Sequence, residues 1–378
     1  MERDPRFRDE CRALCEALRR YPTIDALRGS DEWKDLGPRL ARVLGTPHHH
    51  EPPTPPGPPS AEDRVLAVHW NIEHGNWYEQ VEAALRDHPL LQAADLVLLN
   101  EVDLGCARAA NRDVAADLVR ALGLHGCWVP VALETTVGRD DDAKMAAGRR
   151  NEEGLFGVAV LSRWPIRAVR IVELPSPEHV QFDLERMFGR HVGLVVEIQR
   201  PGTPFVAVSV HLEVHRTRRY RALQMQTLLT TLRTERRPIV LAGDFNSHTF
   251  DRGRWWDVLV NAGIMLTWSH RALLSRLLHP DRGPAQEPLF DGLCEADFEW
   301  NRFNDGRPTL RVRFERLDEA RAIQNLLGPL ARWAESRSRL RLDWFAARGW
   351  QDGRGATVAG LDGPGKASDH APIVAEFR

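Results

Sequence analysis

Five short stretches of this chain pair an apolar run with polar groups of the kind that carry out chemistry. Trp70-Asn71-Ile72-Glu73 ends the run at 65–70, and Asn100-Glu101-Val102-Asp103 follows residues 96–99. His211 follows 206–210, Gly243-Asp244-Phe245-Asn246 follows 239–242, and Ser368-Asp369-His370 precedes the last run, Ile373–Phe377. The runs have strand length and are rich in Val, Ile and Leu. A carboxylate at the end of a buried strand is costly unless it is paired or bound to a cation, so these groups read as a set whose strand ends converge. Carboxylate and amide oxygens suit hard cations, Mg²⁺ or Mn²⁺, rather than thiolate-seeking metals. Two histidines add hydrogen bonds or positive charge for a phosphoryl group, and a neighbouring carboxylate raises such a histidine's pKa. Water is the expected nucleophile, because the chain has no GxSxG elbow, no GxxxxGK[ST] loop and no HExxH.

Taken singly, each stretch has an ordinary reading. Glu101 could be a helix cap or a surface acid, His211 a satisfied, partly buried histidine, and Ser368-Asp369-His370 a capped turn. Gly243 is more telling, since glycine permits a tight turn just where two polar groups emerge. The order of all of them along one chain carries the argument.

The elements that must position these groups are strands at 65–70, 96–99, 156–161, 192–198, 205–210, 239–242, 342–346 and 373–377, with helical patterns at 78–86, 112–122 and 220–232 between some of them. Strands and helices mixed over residues 62–378 predict one α/β catalytic domain with a buried sheet core. Ahead of it, residues 1–46 read as a helical extension. Asp4 can cap, Pro5 suits a first turn, Leu14 and Leu18 form an i,i+4 pair, and a second helix over 31–44 should kink or break at Pro38. Residues 47–61 are dense in proline and read as an extended linker, with His48, His49 and His50 solvated in it. The first 60 residues are expected to be dispensable for chemistry. Residues 302–341 carry ten arginines against five acidic residues and look helical over 321–340, reading as a solvated surface helix or a substrate-facing insertion.

Net charge is −2, so attraction to nucleic acid or an anionic membrane must come from a local patch. The best such patch is His215-Arg216-Thr217-Arg218-Arg219-Tyr220-Arg221, just after His211. Five cysteines without a CxxC pair argue against a disulfide framework or zinc knuckle. The charged N-terminus lacks a secretory core segment, and no apolar run reaches the ~18 residues of a membrane span. A soluble, cytoplasmic protein without membrane insertion is the expectation.

The motif order resembles the endonuclease/exonuclease/phosphatase superfamily, with its DNase I-like fold. The stretches that carry the resemblance are Trp70-Asn71, Asn100-Glu101, Leu161-Ser162-Arg163-Trp164-Pro165, Ser209-Val210-His211, Gly243-Asp244-Phe245-Asn246, Leu342-Asp343-Trp344 and Ser368-Asp369-His370. The resemblance implies a four-layer α/β sandwich, two packed mixed sheets flanked by helices. It implies Glu101 as the main metal ligand for Mg²⁺ (or Mn²⁺), with Asp369 helping and Glu73 standing where some members carry a second metal-site acid. Asn71, His211, Asp244, Asn246, Asp343 and His370 would be catalytic, with either Asp244 or His370 as the base. Arg108, Asn111 and Arg112 follow the metal glutamate on a loop that could read substrate or simply cap the next helix. The implied activity is divalent-metal-dependent hydrolysis of phosphate esters by a phosphodiesterase, nuclease or phosphatase, with nucleic acid among the candidate substrates. A phosphoinositide or lipid head-group phosphatase and a non-catalytic phosphate binder of the same fold are the alternatives.

Overall fold

A computed structural model of the chain describes residues 4–54, 56–58, 63–138, 140–252, 255–311, 339–363 and 365–378. Its strands are β1 (His48–His50), β2 (Val65–Asn71), β3 (Leu96–Leu104), β4 (His125–Glu134), β5 (Leu155–Ser162), β6 (Ile166–Glu173), β7 (Met187–Gly189), β8 (Val192–Ile198), β9 (Phe205–His211), β10 (Ile239–Asp244), β11 (Leu310–Arg311), β12 (Arg339–Leu340), β13 (Asp343–Arg348), β14 (Gly353–Thr357) and β15 (Ile373–Phe377). Its α-helices are α1 (Pro5–Arg19), α2 (Ile24–Arg28), α3 (Trp33–Gly45), α4 (Tyr78–Asp87), α5 (Val114–Leu122), α6 (Asp140–Ala146), α7 (Arg218–Leu232), α8 (Trp255–Thr267), α9 (His270–Leu278) and α10 (Leu289–Glu295).

One sheet runs β1-β4-β5-β3-β2-β15-β14, with β7 joined to β4, and the other runs β13-β10-β9-β8-β6. The pairs β2/β3 and β9/β10 are parallel and their sheet neighbours antiparallel, so both sheets are mixed. Side chains alternate across a strand, and the sequence uses that alternation to make three cores. Val65, Ala67, Leu96, Leu98, Ala207, Val240, Ala242, Phe345, Ile373 and Ala375 fill the space between the sheets. The opposite faces of the same strands, such as Leu66, Val68, Val97 and Leu99, pack with α4, α5 and the N-terminal helices. Val206, Val208 and Leu241 of the second sheet pack with Met225, Leu228 and Leu232 of α7 and with Phe290 of α10. The result is the expected α/β sandwich of helices, sheet, sheet and helices.

Among the strands that went unread in the sequence are β4, β6 and β14, each for a physical reason. β4 contains Gly126 and Pro130, which interrupt an apolar run, and the pairing shifts register next to Pro130. β6 is an edge strand whose arginines face solvent, and β14 is an edge strand with two glycines. Pro38 lies inside α3, which continues through it as one helix. His48–His50 is a strand paired with β4, not part of an extended linker. These histidines lie between Pro47 and Pro52, so their own N–H groups remain available to a ladder, and burial pulls His48 down to a pKa of about 4. Except for Arg339 and Leu340, the helix read at 321–340 lies outside the described residues. Among the described residues no helix is long and apolar enough to cross a membrane.

The N-terminal helices are built into the first sheet's outer layer. Leu14, Leu18, Leu27, Leu36 and Leu40 belong to the same apolar cluster as Trp128 and Leu133 of β4. Cys15 Sγ donates to the Glu134 carbonyl at 3.3 Å, and Arg190 donates to the Leu44 carbonyl at 2.8 Å. Arg39 grips Glu10 through two 2.8 Å bonds that tie α3 to α1. Leu18 is fully buried. Leu18→Ala should therefore lower unfolding free energy by about 3 kcal/mol, read as a shift in the urea midpoint. A loss under about 1 kcal/mol would mean that these helices are not part of the core.

Candidate active site

The faces that are apolar in mid-sandwich turn polar at one end. On β2 the inward positions run Val65, Ala67, His69, Asn71, and on β9 they run Phe205, Ala207, Ser209, His211. On β10 they run Val240, Ala242, Asp244, and on antiparallel β13 they begin at Asp343 before Phe345 and Ala347. Register aligns them: Asp244 stands beside His211 on one side and Asp343 on the other, and Asn71 stands beside Asn100. Strand periodicity alone therefore gathers Asn71, His211, Asp244 and Asp343 at one rim, and the segment leading into β15 adds His370.

Asp343 is the pivot of the cluster. Its side chain is 1% exposed and its two oxygens face two imidazoles from the other sheet. His69 Nε2 donates to Oδ1 at 2.9 Å and His370 Nδ1 donates to Oδ2 at 2.7 Å. His69, fully buried, places its Nδ1 3.1 Å from the Leu98 carbonyl oxygen. Burial opposes ionisation of Asp343, yet the charge and hydrogen bond of His370 and the bond from His69 hold its pKa below the usual carboxylate range. Burial likewise opposes a charged His370, but Asp343, then Asp244 and Asp369, push its pKa well above the ordinary imidazole value. Trp70 Nε1 donates to the His370 carbonyl at 2.8 Å, and the His370 amide donates to Ser368 Oγ at 3.1 Å, so the ring is fixed from both sides.

Around Asp244 Oδ2, Asn71 Nδ2 lies at 3.3 Å, His211 Nε2 at 3.6 Å and His370 Nε2 at 3.7 Å. The other oxygen accepts the Asn246 amide at 2.9 Å, and the Asp244 amide donates across the sandwich to Asn100 Oδ1 at 2.9 Å. Burial, and next the charge of Asp343, raise the Asp244 pKa against the pull of His370 and His211. Asn246 sits at φ 47° and its side-chain amide donates to the Leu212 carbonyl at 2.7 Å, locking the turn after β10 to the turn after β9. Gly243 serves differently from the tight turn read in the sequence. It lies within β10, where a Cβ would meet the Val210 carbonyl oxygen at 1.9 Å, so the requirement is close approach of a neighbouring strand.

Glu101 does not end its strand. β3 continues to Leu104, and the ladder to β5 slips between Leu99 and Val102, leaving Glu101 in a bulge at φ 53°. The bulge turns its carboxylate towards Asn71, whose Nδ2 donates to Oε1 at 2.9 Å, while His74 Nε2 lies 3.2 Å from Oε2. Burial opposes ionisation, but the charges of His74 and His211 and the Asn71 bond hold Glu101 at a pKa of about 2. Behind it, Arg108 is 3% exposed and pairs with Asp103 at 2.8 Å and Glu134 at 2.6 Å. Arg108 is thus engaged in the interior and not turned towards a substrate. Asn111 bridges to the Arg150 carbonyl at 3.0 Å, and Arg112 stacks 4.5 Å over Tyr78 and pairs with Glu79 at 2.5 Å. The described contacts do not bring these three side chains to the cluster. Burial selects a paired role for Arg108, and the other two brace neighbouring loops. Glu73 is buried at φ 46°, its amide donating to Asn71 Oδ1 at 3.2 Å, and Asp369 Oδ1 lies 3.5 Å from Ser368 Oγ.

The sequence reading missed His69 and His74, and quoted Asn100 and Ser209 in its motifs without giving them a role. His69 had a signal: it is the one ionisable residue in an otherwise apolar strand, on the parity of Asn71. His74 had none, since its role depends on positive φ values at Glu73 and His74 that fold it back over Glu101.

A cation fits this rim by donor chemistry. The ligand atoms of Asp244, Asp343 and His370 lie within 4.8 Å of one another. Asp343 and His370 already bind each other, so the hard carboxylate oxygens that remain at this rim are those of Asp244 and Glu101, which Asn71 Nδ2 bridges.

A model of the endonuclease/exonuclease/phosphatase family matches residues 68–370. Among solved structures, an endonuclease/exonuclease/phosphatase from Beutenbergia cavernae DSM 12333 aligns over 83% of this chain and 71% of its own at 19% identity, with a TM-score of 0.51. The human Nocturnin catalytic domain with bound sulfate anion aligns over 83% and 94% at 16% identity, TM-score 0.45. Truncated Caenorhabditis elegans TDP2 aligns over 83% and 97% at 14% identity, TM-score 0.45. At such identities the first of these supports a shared fold. No curated protein sequence gives a significant match.

The Asp343–His370 pair makes a prediction about stability. A depressed Asp343 pKa stabilises the fold above the unfolded aspartate value of about 3.9, and that contribution is lost as pH falls. A raised His370 pKa stabilises it below the unfolded histidine value of about 6.5, and that contribution is lost as pH rises through the native pKa. Asp343→Asn should therefore destabilise most, by about 3 kcal/mol, between roughly pH 4 and 6.5, with the gap narrowing on both sides. Urea titrations at several pH values test it, and a gap that does not vary with pH would refute the charged pair.

Proposed function

The chain belongs to the endonuclease/exonuclease/phosphatase family, and we propose that it is a divalent-metal-dependent phosphoesterase in which water attacks phosphorus in line with the leaving oxygen. The observation that carries this reading is the convergence of Asn71, His211 and His370 on one oxygen of a buried aspartate, Asp244, next to the Glu101 carboxylate.

Each residue then has a role that its surroundings support. Asp244 takes the proton of the attacking water. Its raised pKa brings it closer to working pH than an ordinary aspartate, as a base needs. His370, held charged by Asp343, donates to a phosphoryl oxygen, which leaves Asp244 and not His370 as the base. His211 donates to a second phosphoryl oxygen from the next strand. Asn246 orients Asp244 through its backbone amide, and Asn71 holds the Glu101 carboxylate. Glu101 would be the principal ligand of Mg²⁺ or Mn²⁺, with Asp369 and Glu73 assisting, and the cation would neutralise charge on the phosphoryl group. Charge-bearing donors fixed before substrate arrives need no reorganisation during reaction, and that preorganisation supplies most of the catalysis. Position on this rim serves a phosphodiester and a phosphomonoester alike, so the substrate is set by what surrounds the rim.

Activity should vanish on chelation and return with Mg²⁺ or Mn²⁺. Glu101→Gln and Asp244→Asn should each reduce kcat/KM by about a thousandfold. Asp244→Asn removes a carboxylate that the fold disfavours in its charged form, so its Tm should equal or exceed the wild type. The assay is a panel of DNA, RNA, a phosphodiester dye, inositol phosphates and phospholipids, run beside His370→Ala. Undiminished turnover after exhaustive chelation would sink the metal reading, and variants that lose activity only by unfolding would make these groups structural.

A further inference from the structure

A cleft of about 490 Å³ is lined in part by the segment that follows β9, and none of the converged residues lines it. Ser176 and His179 come from the segment after β6, Arg216, Thr217 and Tyr220 from the turn into α7, and Arg252 from the segment after β10. The cleft wall and the catalytic rim share backbone. The wall segment starts at Leu212, next to His211, and its Leu212 carbonyl is the one that Asn246 Nδ2 binds at 2.7 Å. His248 Nε2 lies 3.2 Å from the Val214 carbonyl, tying the segment before Arg252 to the same turn.

Glu213, buried behind that turn, fixes its shape. It accepts the His215 amide at 2.6 Å and His191 Nε2 at 2.9 Å, and its own amide donates to Gln224 Oε1 at 2.9 Å. A buried carboxylate is used here to hold a loop of basic residues in one conformation, which is what a binding wall needs and a solvated surface run does not.

Two arginines, Arg216 and Arg252, line the cleft. Among the described residues Arg216 makes no ion pair, and its Nε is buried with no hydrogen-bond partner. The acids nearby are engaged: Glu178, on the cleft wall, pairs with Arg28 at 2.7 Å, and Glu185 with His215 at 3.1 Å. The N-terminus of α7, a 15-residue helix capped by Thr217, lies at the same wall and adds its partial positive charge. Arg252 and Tyr220 line the same cleft as Arg216.

The geometry points to a second anion subsite, in which Arg216 and Arg252 hold a phosphate of the substrate other than the one being cleaved. This rests on the phosphoesterase reading and narrows it: the substrate carries at least two phosphates, as a nucleic-acid strand or an inositol bisphosphate does. Arginine forks suit such a group because they meet its oxygens in pairs.

Binding without turnover tests the subsite. In EDTA, the full chain is titrated against a fluorescein-labelled single-stranded oligonucleotide of about ten nucleotides, and separately against inositol bisphosphate by calorimetry. Arg216→Ala and Arg252→Ala should each weaken Kd about tenfold for at least one probe, as loss of a charged hydrogen bond does. For the oligonucleotide, each should also lower the salt slope by about one. Arg233→Ala, which removes an exposed charge at the far end of α7, should stay within about twofold. The probe that depends on the arginines names the source of the second phosphate. Wild-type protein that binds neither probe, Arg216→Ala that binds both as the wild type does, or Arg233→Ala that loses as much as Arg216→Ala would each overturn the subsite. These outcomes leave hydrolysis untouched, and loss of hydrolysis in Asp244→Asn leaves the subsite untouched, so the two readings fail separately.

Discussion

Two carboxylates, Asp244 and Asp343, stand at the end of an apolar core with side chains 3% and 1% exposed, and the rest of the site is arranged around what that costs. An unpaired buried carboxylate is disfavoured by several kcal/mol. Asp343 avoids the penalty by taking one histidine on each oxygen, both from the opposite sheet, so the bond that neutralises it also pins the two sheets in register. Asp244 has no histidine at hydrogen-bonding distance; its Oδ1 accepts the Asn246 amide at 2.9 Å. Three donors surround it at 3.3 to 3.7 Å, close enough to stabilise charge and far enough to leave an oxygen available. One aspartate is bound by two histidines and the other is not, and the difference follows from where each sits, Asp244 ending β10 and Asp343 beginning β13.

Much of this was legible because strand chemistry has period two. Polar residues at the end of apolar strands in a fixed order indicated the rim, and their parity with the inter-sheet core turned out to be the reason they meet. What was not legible depended on backbone conformation or partners distant in sequence. Glu101 read as a strand end because nothing in Leu-Leu-Asn-Glu-Val-Asp-Leu announces a bulge. Arg108 read as a loop residue that could contact substrate or cap the next helix, because the sequence does not show Asp103 and Glu134 closing around it. Arg163, part of the motif order, turns out to hold Asp95 at 2.7 Å, and Asp95 in turn accepts the Leu66 amide at 3.0 Å. Its place in the motif reflects strand anchoring at the opposite end of β2 from the rim.

The network behind Glu101 connects the rim to the N-terminal layer. Glu101 faces His74, His74 lies 3.5 Å from Asp103, and Arg108 joins Asp103 to Glu134. The Glu134 carbonyl accepts Cys15 Sγ from α1, and Arg19 of the same helix donates to the next carbonyl, that of Thr135. A first helix that seemed peripheral in sequence therefore covers the far end of a charged chain that begins at the candidate metal ligand. Charges in such a chain are interdependent: opening the α1 side to water would weaken the Arg108 pairs, and with them the alignment of Asp103 and His74.

This coupling bears on how Glu101 stays ionised. Burial alone would raise its pKa, and the nearest opposing charge is the His74 imidazolium. Burial and Arg108 disfavour that imidazolium, whereas Glu101 and Asp103 favour it strongly enough to raise the His74 pKa to about 9. Arg108 thus acts twice with opposite sign, discouraging His74 directly while keeping Asp103 ionised beside it. The balance holds only if Asp103 is closer to His74 than Arg108 is in effect, which the bulge in β3 and the left-handed turn at Glu73 and His74 together secure. Two unusual backbone conformations, each unfavourable alone, are in this way the means by which a partly buried glutamate is kept charged and turned towards the rim.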